Sequence, residues 1–171
     1  MSCTISQGLQ LGCKDSTGGI RKVYISNFSD DETYAIDANG QITGVTSAAT
    51  YYTFEVRPQS AGFNETINAS IENGTLFYTQ ELSLGFDKNT VELRNQMYLL
   101  AQNQMRIIVL DQNGLYRVVG KINGADITAG TIPTGKAFGD RNGYELTITA
   151  FEPQPSSFIS SAAFATLTVS A

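Results

Sequence analysis

Apolar and polar residues alternate through several short stretches of this chain, and take up helical spacing in only one. In "TYYTFEVR" the residues Tyr52, Phe54 and Val56 fall on one face, and "TINASI" alternates in the same one-sided way, as half-buried strands do. "GYELTITAFE" sets Leu146, Ile148 and Phe151 among polar neighbours, and "GIRKVYISNF" from Gly19 reads as a further strand. The run Ile107 to Leu110 has no polar break, which predicts a strand covered on both faces.

Five Asn-Gly dipeptides, at Asn39, Asn73, Asn113, Asn123 and Asn142, punctuate these stretches. Both residues tolerate the positive φ that a type I′ hairpin turn demands. The first three lie between apolar-bearing arms in "ETYAIDANGQITGVT", "NETINASIENGTLFYTQELSLGF" and "MRIIVLDQNGLYRVVGK", and predict three antiparallel hairpins.

Helical spacing appears in "KNTVELRNQMYLLAQNQ", predicting one helix over about residues 89–104. Asn89 is placed to cap it, Glu92 to complete a capping box, and Val91, Leu93, Met97, Leu100 and Ala101 to form one apolar stripe. Its polar side, with Glu92, Arg94, Asn95, Gln102 and Asn103, is a candidate contact surface for a sheath, a neighbouring subunit or solvent. The predicted fold is therefore mainly β, an antiparallel β-barrel or sandwich with one flanking helix.

The ends read differently. Residues 1–19 carry Gly8, Gly12, Gly18 and Gly19 with little periodicity and form an N-terminal arm, ahead of a β domain over 20–152. Pro153 and Pro155 cannot donate ladder hydrogen bonds, so residues 153–171 are read as a C-terminal arm or late edge strand.

Composition sharpens this picture. Only 16% of residues are charged, where about 25% is usual. Ser, Thr, Asn and Gln supply 53 residues instead, a surface suited either to coverage by partners, because interface centres are depleted in charge, or to an extracellular β domain. The net charge of −5 argues against tight nucleic-acid binding, which needs clustered Lys and Arg. No run of 18 apolar residues occurs, and "MSCTISQGLQ" lacks a basic start and an apolar h-region, so the expectation is no membrane span and synthesis in a cytoplasm.

Catalytic and metal chemistry find little support. Histidine is absent, which removes Ser-His-Asp and Cys-His systems and every His-bearing metal site. Cys3 and Cys13 are too far apart in sequence for a zinc half-site, and are expected as free, partly buried thiols. "DANG" and "DQNG" fail as calcium loops, because the first ligand position becomes Ala35 or Val109 and the twelfth Thr46 or Gly120. They read as turn chemistry. Asp30, Asp31 and Glu32 read as a solvated turn, and the Gly-bearing stretch from Thr128, with Lys136 and Arg141, as a mobile surface or intersubunit loop. No cofactor site and no catalytic residue are expected.

The order of elements, with "CKDSTGGIRKVYISNF" opening the domain, "DKNTVELRNQMYLLAQN" running straight into an apolar strand, and "NGYELTITAFE" closing it, resembles tail tube proteins of tailed bacteriophages over residues 20–160. These proteins are similar in turn to the haemolysin-coregulated tube proteins of contractile secretion systems. The resemblance implies a virion protein forming hexameric rings stacked into a hollow tail tube, with other tail proteins, and a sheath in contractile tails, as partners. In that family, strands of neighbouring subunits join into one barrel around the lumen, the helix lies outside it, and DNA passes through without specific binding. Two other readings compete. One is a different virion part, namely a tail terminator, head-to-tail connector or capsid decoration protein. The other is a carbohydrate-binding β-sandwich using Tyr51, Tyr52, Tyr78 or Tyr116 as stacking platforms, which the lack of Trp weakens.

Overall fold

The unbroken apolar run does sit inside, covered on both faces. In the computed structural model, which describes residues 8–171, this run is β7 (Met105–Asp111). It pairs antiparallel with β1 (Ile20–Asn27) on one side and β8 (Tyr116–Val119) on the other. Alternate residues of β7 enter two different cores. Met105, Ile107 and Val109 face one apolar cluster, while Ile108 and Leu110 face the other.

Around this pair grows an eight-stranded sheet. β4 (Thr50–Glu55) and β12 (Thr168–Ser170) extend it beyond β1, and β11 (Phe158–Ile159), β3 (Ile42–Thr46) and β2 (Thr33–Ile36) extend it beyond β8. A second sheet of four strands runs in the order β5 (Ala61–Ser70), β6 (Thr75–Asp87), β10 (Gly143–Glu152), β9 (Asp126–Thr131), every pair antiparallel. The mainly β fold expected from the alternation is thus present, as a sandwich whose larger sheet curls like half a barrel.

The first cluster fills the sandwich, with Ile25, Ile107 and Val109 of the large sheet meeting Leu82, Leu84, Leu146 and Ile148 of the small one. The second lies on the far side of β1 and β7, where the sheet's curl brings Ile42 of β3 and Ile159 of β11 over Tyr24, Ile108 and Val118. α2 (Ser161–Phe164) closes that side, with Phe164 stacked on Tyr116 at 4.2 Å between ring centres. "TYYTFEVR" consequently has two working faces. Phe54 and Val56 pack on the first cluster as the alternation requires, but Tyr51, on the opposite face, is 1% exposed in the second.

α1 (Val91–Gln102) occupies the expected place with a different start. Thr90 is the N-cap, its hydroxyl accepting the Leu93 N–H at 3.2 Å. Asn89 instead accepts the Tyr144 hydroxyl at 2.9 Å, so no Asn89–Glu92 capping box forms. The apolar stripe narrows to Leu93, Met97 and Leu100, which pack on the first cluster, while Val91 and Ala101 stay exposed.

Three hairpins form at the expected Asn-Gly sites, but their geometry is not type I′. Gly40, Gly74 and Gly114 take positive φ and the preceding asparagines do not. In "DANG" and "DQNG" the reason is visible. Asp37 Oδ1 accepts the N–H of Asn39 and Gln41, and Asp111 Oδ1 accepts those of Asn113 and Leu115, all at 2.8 to 2.9 Å. These Asx-type turns tie the chain back onto the leading Asp, and of the turn residues only the glycine takes positive φ.

The termini diverge in character. Residues 8–18 are exposed and tied to the body where Thr17 and Asn113 exchange two hydrogen bonds of 2.9 and 3.0 Å. Cys13 is exposed there, correcting the expectation of partial burial, and Cys3 lies outside the described residues. The C-terminal segment is no free arm. It supplies β11, α2 and the edge strand β12, and introduces the two parallel pairings, β11 with β3 and β12 with β4, that the antiparallel expectation lacked.

Candidate assembly surfaces

The small sheet is the most one-sided surface of the molecule. Its inner face is core, and its outer face carries Asn64, Thr66 and Asn68 of β5, Thr79, Glu81 and Ser83 of β6, and Thr147 and Thr149 of β10, with the exposed rings of Phe77 and Phe151 6.4 Å apart towards one end and the Arg141 guanidinium lying over Gly85 at the other. Registered rows cross it cleanly: Asn64, Glu81, Thr149 and Asp126 stand side by side on the four strands. Thr128 and Thr149 share a hydroxyl–hydroxyl hydrogen bond of 2.9 Å. None of the residues of β5, β6, β9 and β10 is Lys or Arg, whereas Glu81, Asp126 and Glu145 are exposed acids on them.

Both edges of this sheet are open, since β5 and β9 each pair with one neighbour only. β9 corrects the reading of a loop beginning at Thr128. Thr128–Thr131 is strand, and the loop proper is residues 132–142. Beyond the sandwich, the β5–β6 hairpin continues its core-facing register into solvent, leaving Ile67 66%, Leu76 54% and Ile71 99% exposed.

The predicted contact residues are distributed over two places. Glu92, Arg94, Asn95, Gln102 and Asn103 are all exposed on or next to α1, as expected, though Arg94 leans on Asn95 and Asn103 Nδ2 donates to Leu99 O at 2.9 Å. Lys136 is exposed on the 132–142 loop. Arg141 is not free for a partner: its guanidinium lies over Gly85, where any side chain would collide with it, and pairs with Asp87 at 3.7 Å and Glu145 at 3.1 Å.

The acid cluster is only partly solvated. Asp30 and Asp31 are exposed, but Glu32 is buried, in an ion pair with Arg106 whose two side chains are 1% and 4% exposed. Glu32 also accepts the hydroxyls of Tyr51 at 2.7 Å and Tyr34 at 2.8 Å. Arg106 donates to Ser29 O at 3.0 Å and Lys121 O at 3.1 Å, and its guanidinium lies 4.6 Å from the Phe28 ring centre. Burial pushes the Tyr34 and Tyr51 hydroxyls far above their ordinary range, and Tyr34 is raised further by Tyr51, and Tyr51 by Glu32. This network binds the β1–β2 link, β4, β7 and the Lys121 segment together.

A second polar seam anchors the C-terminal segment. Glu65 accepts from Ser156 N at 2.7 Å and Ser156 Oγ at 3.1 Å, and buried Glu152 accepts the N–H of Ile122 and Asn123 at 2.9 Å each. Glu152 serves the backbone there, while Glu65 also accepts from Gln80 Nε2 at 3.0 Å and borders a cavity beside Asn64, Asp111 and Arg117. Among the described residues no group of three or more His, Cys, Asp or Glu side chains is placed to hold a metal ion, and no helix is long and apolar enough to cross a membrane. Of the tyrosines considered as stacking platforms, Tyr51 is buried and Tyr78 and Tyr116 are half-buried, while Tyr52 is 52% exposed.

Comparison with family models, curated proteins and solved structures finds no match to this chain. The case for function therefore rests on the surfaces themselves.

Proposed function

We propose that this chain is the repeating subunit of a hollow tube, as in phage tails, with the four-stranded sheet facing the lumen. The observation that carries the reading is that sheet: its four strands hold no Lys or Arg, its outer face is rich in hydroxyls and dotted with carboxylates, the Arg141 guanidinium at its corner is already paired with Asp87 and Glu145, and both its edges are open. Open edges present unpaired N–H and C=O groups, which proteins cover or pair. Pairing β9 of one copy with β5 of the next satisfies both edges and continues the sheet from copy to copy.

The dimensions are compatible with a conduit. Four strands at about 4.8 Å spacing span roughly 19 Å, so six copies close a ring of roughly 115 Å around, or about 37 Å across the backbone. Barrels of about 16 strands already leave an aqueous channel. A wall of hydroxyl and amide side chains and carboxylates, on which Arg141 is already paired with Asp87 and Glu145, gives phosphates little to exchange for counterions, so nucleic acid passes without sticking.

Negative-stain electron microscopy of the purified chain tests this. Rings or tubes with a central stain-filled hole are expected. A monodisperse monomer at millimolar concentration would refute self-assembly, and rings that never stack would indicate a terminator or connector instead of a tube.

A further inference from the structure

The loop of residues 132–142 is built, not slack. Asp140 Oδ2 accepts the N–H of Lys136 and Ala137 at 2.9 Å each, Asp140 N donates to Ala137 O at 3.1 Å, and Gly143 N donates to Pro133 O at 3.1 Å. Its root is pinned by the ion pairs of Arg141. What this frame holds up is a phenyl ring that touches nothing: Phe138 is 113% exposed. Two residues away, Lys136 forms no ion pair among the described residues. A rigid loop presenting a bare aromatic ring is the form an interface anchor takes.

A groove elsewhere on the same chain, with an apolar floor and amide side chains such as Gln96 and Asn103 along it, can take that ring. It runs between α1 and β4, floored by Ile25, Phe54 and Leu100 and rimmed by Tyr52 and Leu99, which are 52% and 49% exposed. On the same side of α1 as Leu99, reached by steps of three and four residues through Gln96, stands Glu92, exposed and without an ion-pair partner among the described residues. Glu92 lies about 10 Å along the helix from Leu99, a distance that the two-residue offset and the long Lys136 stem together can cover. A second groove, beside Leu115 and Phe158, has no such carboxylate, because Asp37 and Asp111 are engaged in their turns.

We propose that Phe138 of one copy of this chain seats in the α1–β4 groove of another copy, with Lys136 of the first beside Glu92 of the second. Knob and groove are different surfaces, so the contact is head-to-tail and repeats from copy to copy. The inference rests on the self-assembly reading above and adds a second contact, independent of the strand edges.

The test combines Phe138→Cys with Leu99→Cys in a Cys3→Ser, Cys13→Ser background and oxidises the protein. A ladder of disulfide-linked oligomers on a non-reducing gel is expected from the pair and from neither single variant. Rings in micrographs without that ladder, or a ladder from Phe138→Cys with Leu115→Cys instead, would overturn this contact while leaving ring assembly standing. A monomer at every concentration would overturn both. Phe138→Ser alone should melt like the parent chain, since the ring has no neighbours, yet self-associate on the order of ten- to a hundredfold more weakly in sedimentation. Unchanged association of that variant would also overturn the proposal.

Discussion

Replacing Glu32 by Gln removes the negative half of a pair whose side chains are 1% and 4% exposed, and leaves the Arg106 guanidinium buried with only backbone carbonyls and an aromatic face. Breaking a buried ion pair from one side costs about 3–5 kcal/mol, because the surviving charge keeps its desolvation penalty and loses its compensation. The Gln amide oxygen can still accept one tyrosine hydroxyl, so at most one of the Tyr34 and Tyr51 bonds is lost, adding about 1 kcal/mol. For a chain of this size each kcal/mol moves the melting temperature by about 2–4 °C, so the expected drop is roughly 6–24 °C. Adding Arg106→Met to Glu32→Gln should recover part of it, since the orphaned charge goes too. Thermal melts of wild type, both singles and the double close the cycle. A Glu32→Gln variant melting within about 2 °C of wild type, or strictly additive losses, would refute the claim that this pair is energetically coupled.

Three further predictions follow from local geometry. Thr90→Ala should cost about 1 kcal/mol by urea denaturation and Thr90→Ser almost nothing, because the cap is the hydroxyl that accepts Leu93 N–H; equal losses would argue against capping. Gly143→Ala should destabilise by about 1–3 kcal/mol or more, its new methyl overlapping the Phe86 carbonyl across the β6–β10 ladder, whereas Gly139→Ala, in open space, should stay within about 0.5 kcal/mol. The Ala137 and Lys136 N–H groups hold the Asp140 carboxyl below its ordinary value of 3.8, so the loop's frame is intact above that pH and loosens as pH falls through the lower folded value. Amide NMR shifts of Lys136 and Ala137 followed with pH should show a midpoint below 3.8, and a midpoint at or above it would contradict the bonding.

What the chain discloses directly is what neighbours in sequence decide. The Asn-Gly hairpins and the two-sided strand Ile107–Leu110 follow from local conformational preference and unbroken apolarity. Tyr51 escaped because period two assigns a face to Tyr52 and Phe54 and is silent about what folds over the other. Glu32 looked solvated because its partner Arg106 is 74 residues away and reaches it only through the β1–β7 pairing. β9 has almost no apolar pattern, as an edge strand with one residue, Ile127, packed on the core. The cation-free sheet is in principle visible in the sequence, since four cation-free stretches are there to be read. Recognising it needs the knowledge that these four strands are neighbours, which no local signal carries.

The two-residue strand β11 has a consequence for how quickly the molecule can form. β2 and β3 join the large sheet only through Phe158 and Ile159, and Ile159 must find Ile42 at a separation of 117 positions. Closing a loop of that length costs roughly 4 kcal/mol of chain entropy before any contact rewards it. Refolding should therefore be biphasic, with the β1–β7 ladder and the small sheet collapsing first and the β2–β3 hairpin waiting as an undocked flap until the late segment arrives. Tyr34 and Tyr51 report on that docking, so their fluorescence should lag behind the recovery of strand circular dichroism, and simultaneous recovery would show that the hairpin docks without its keystone.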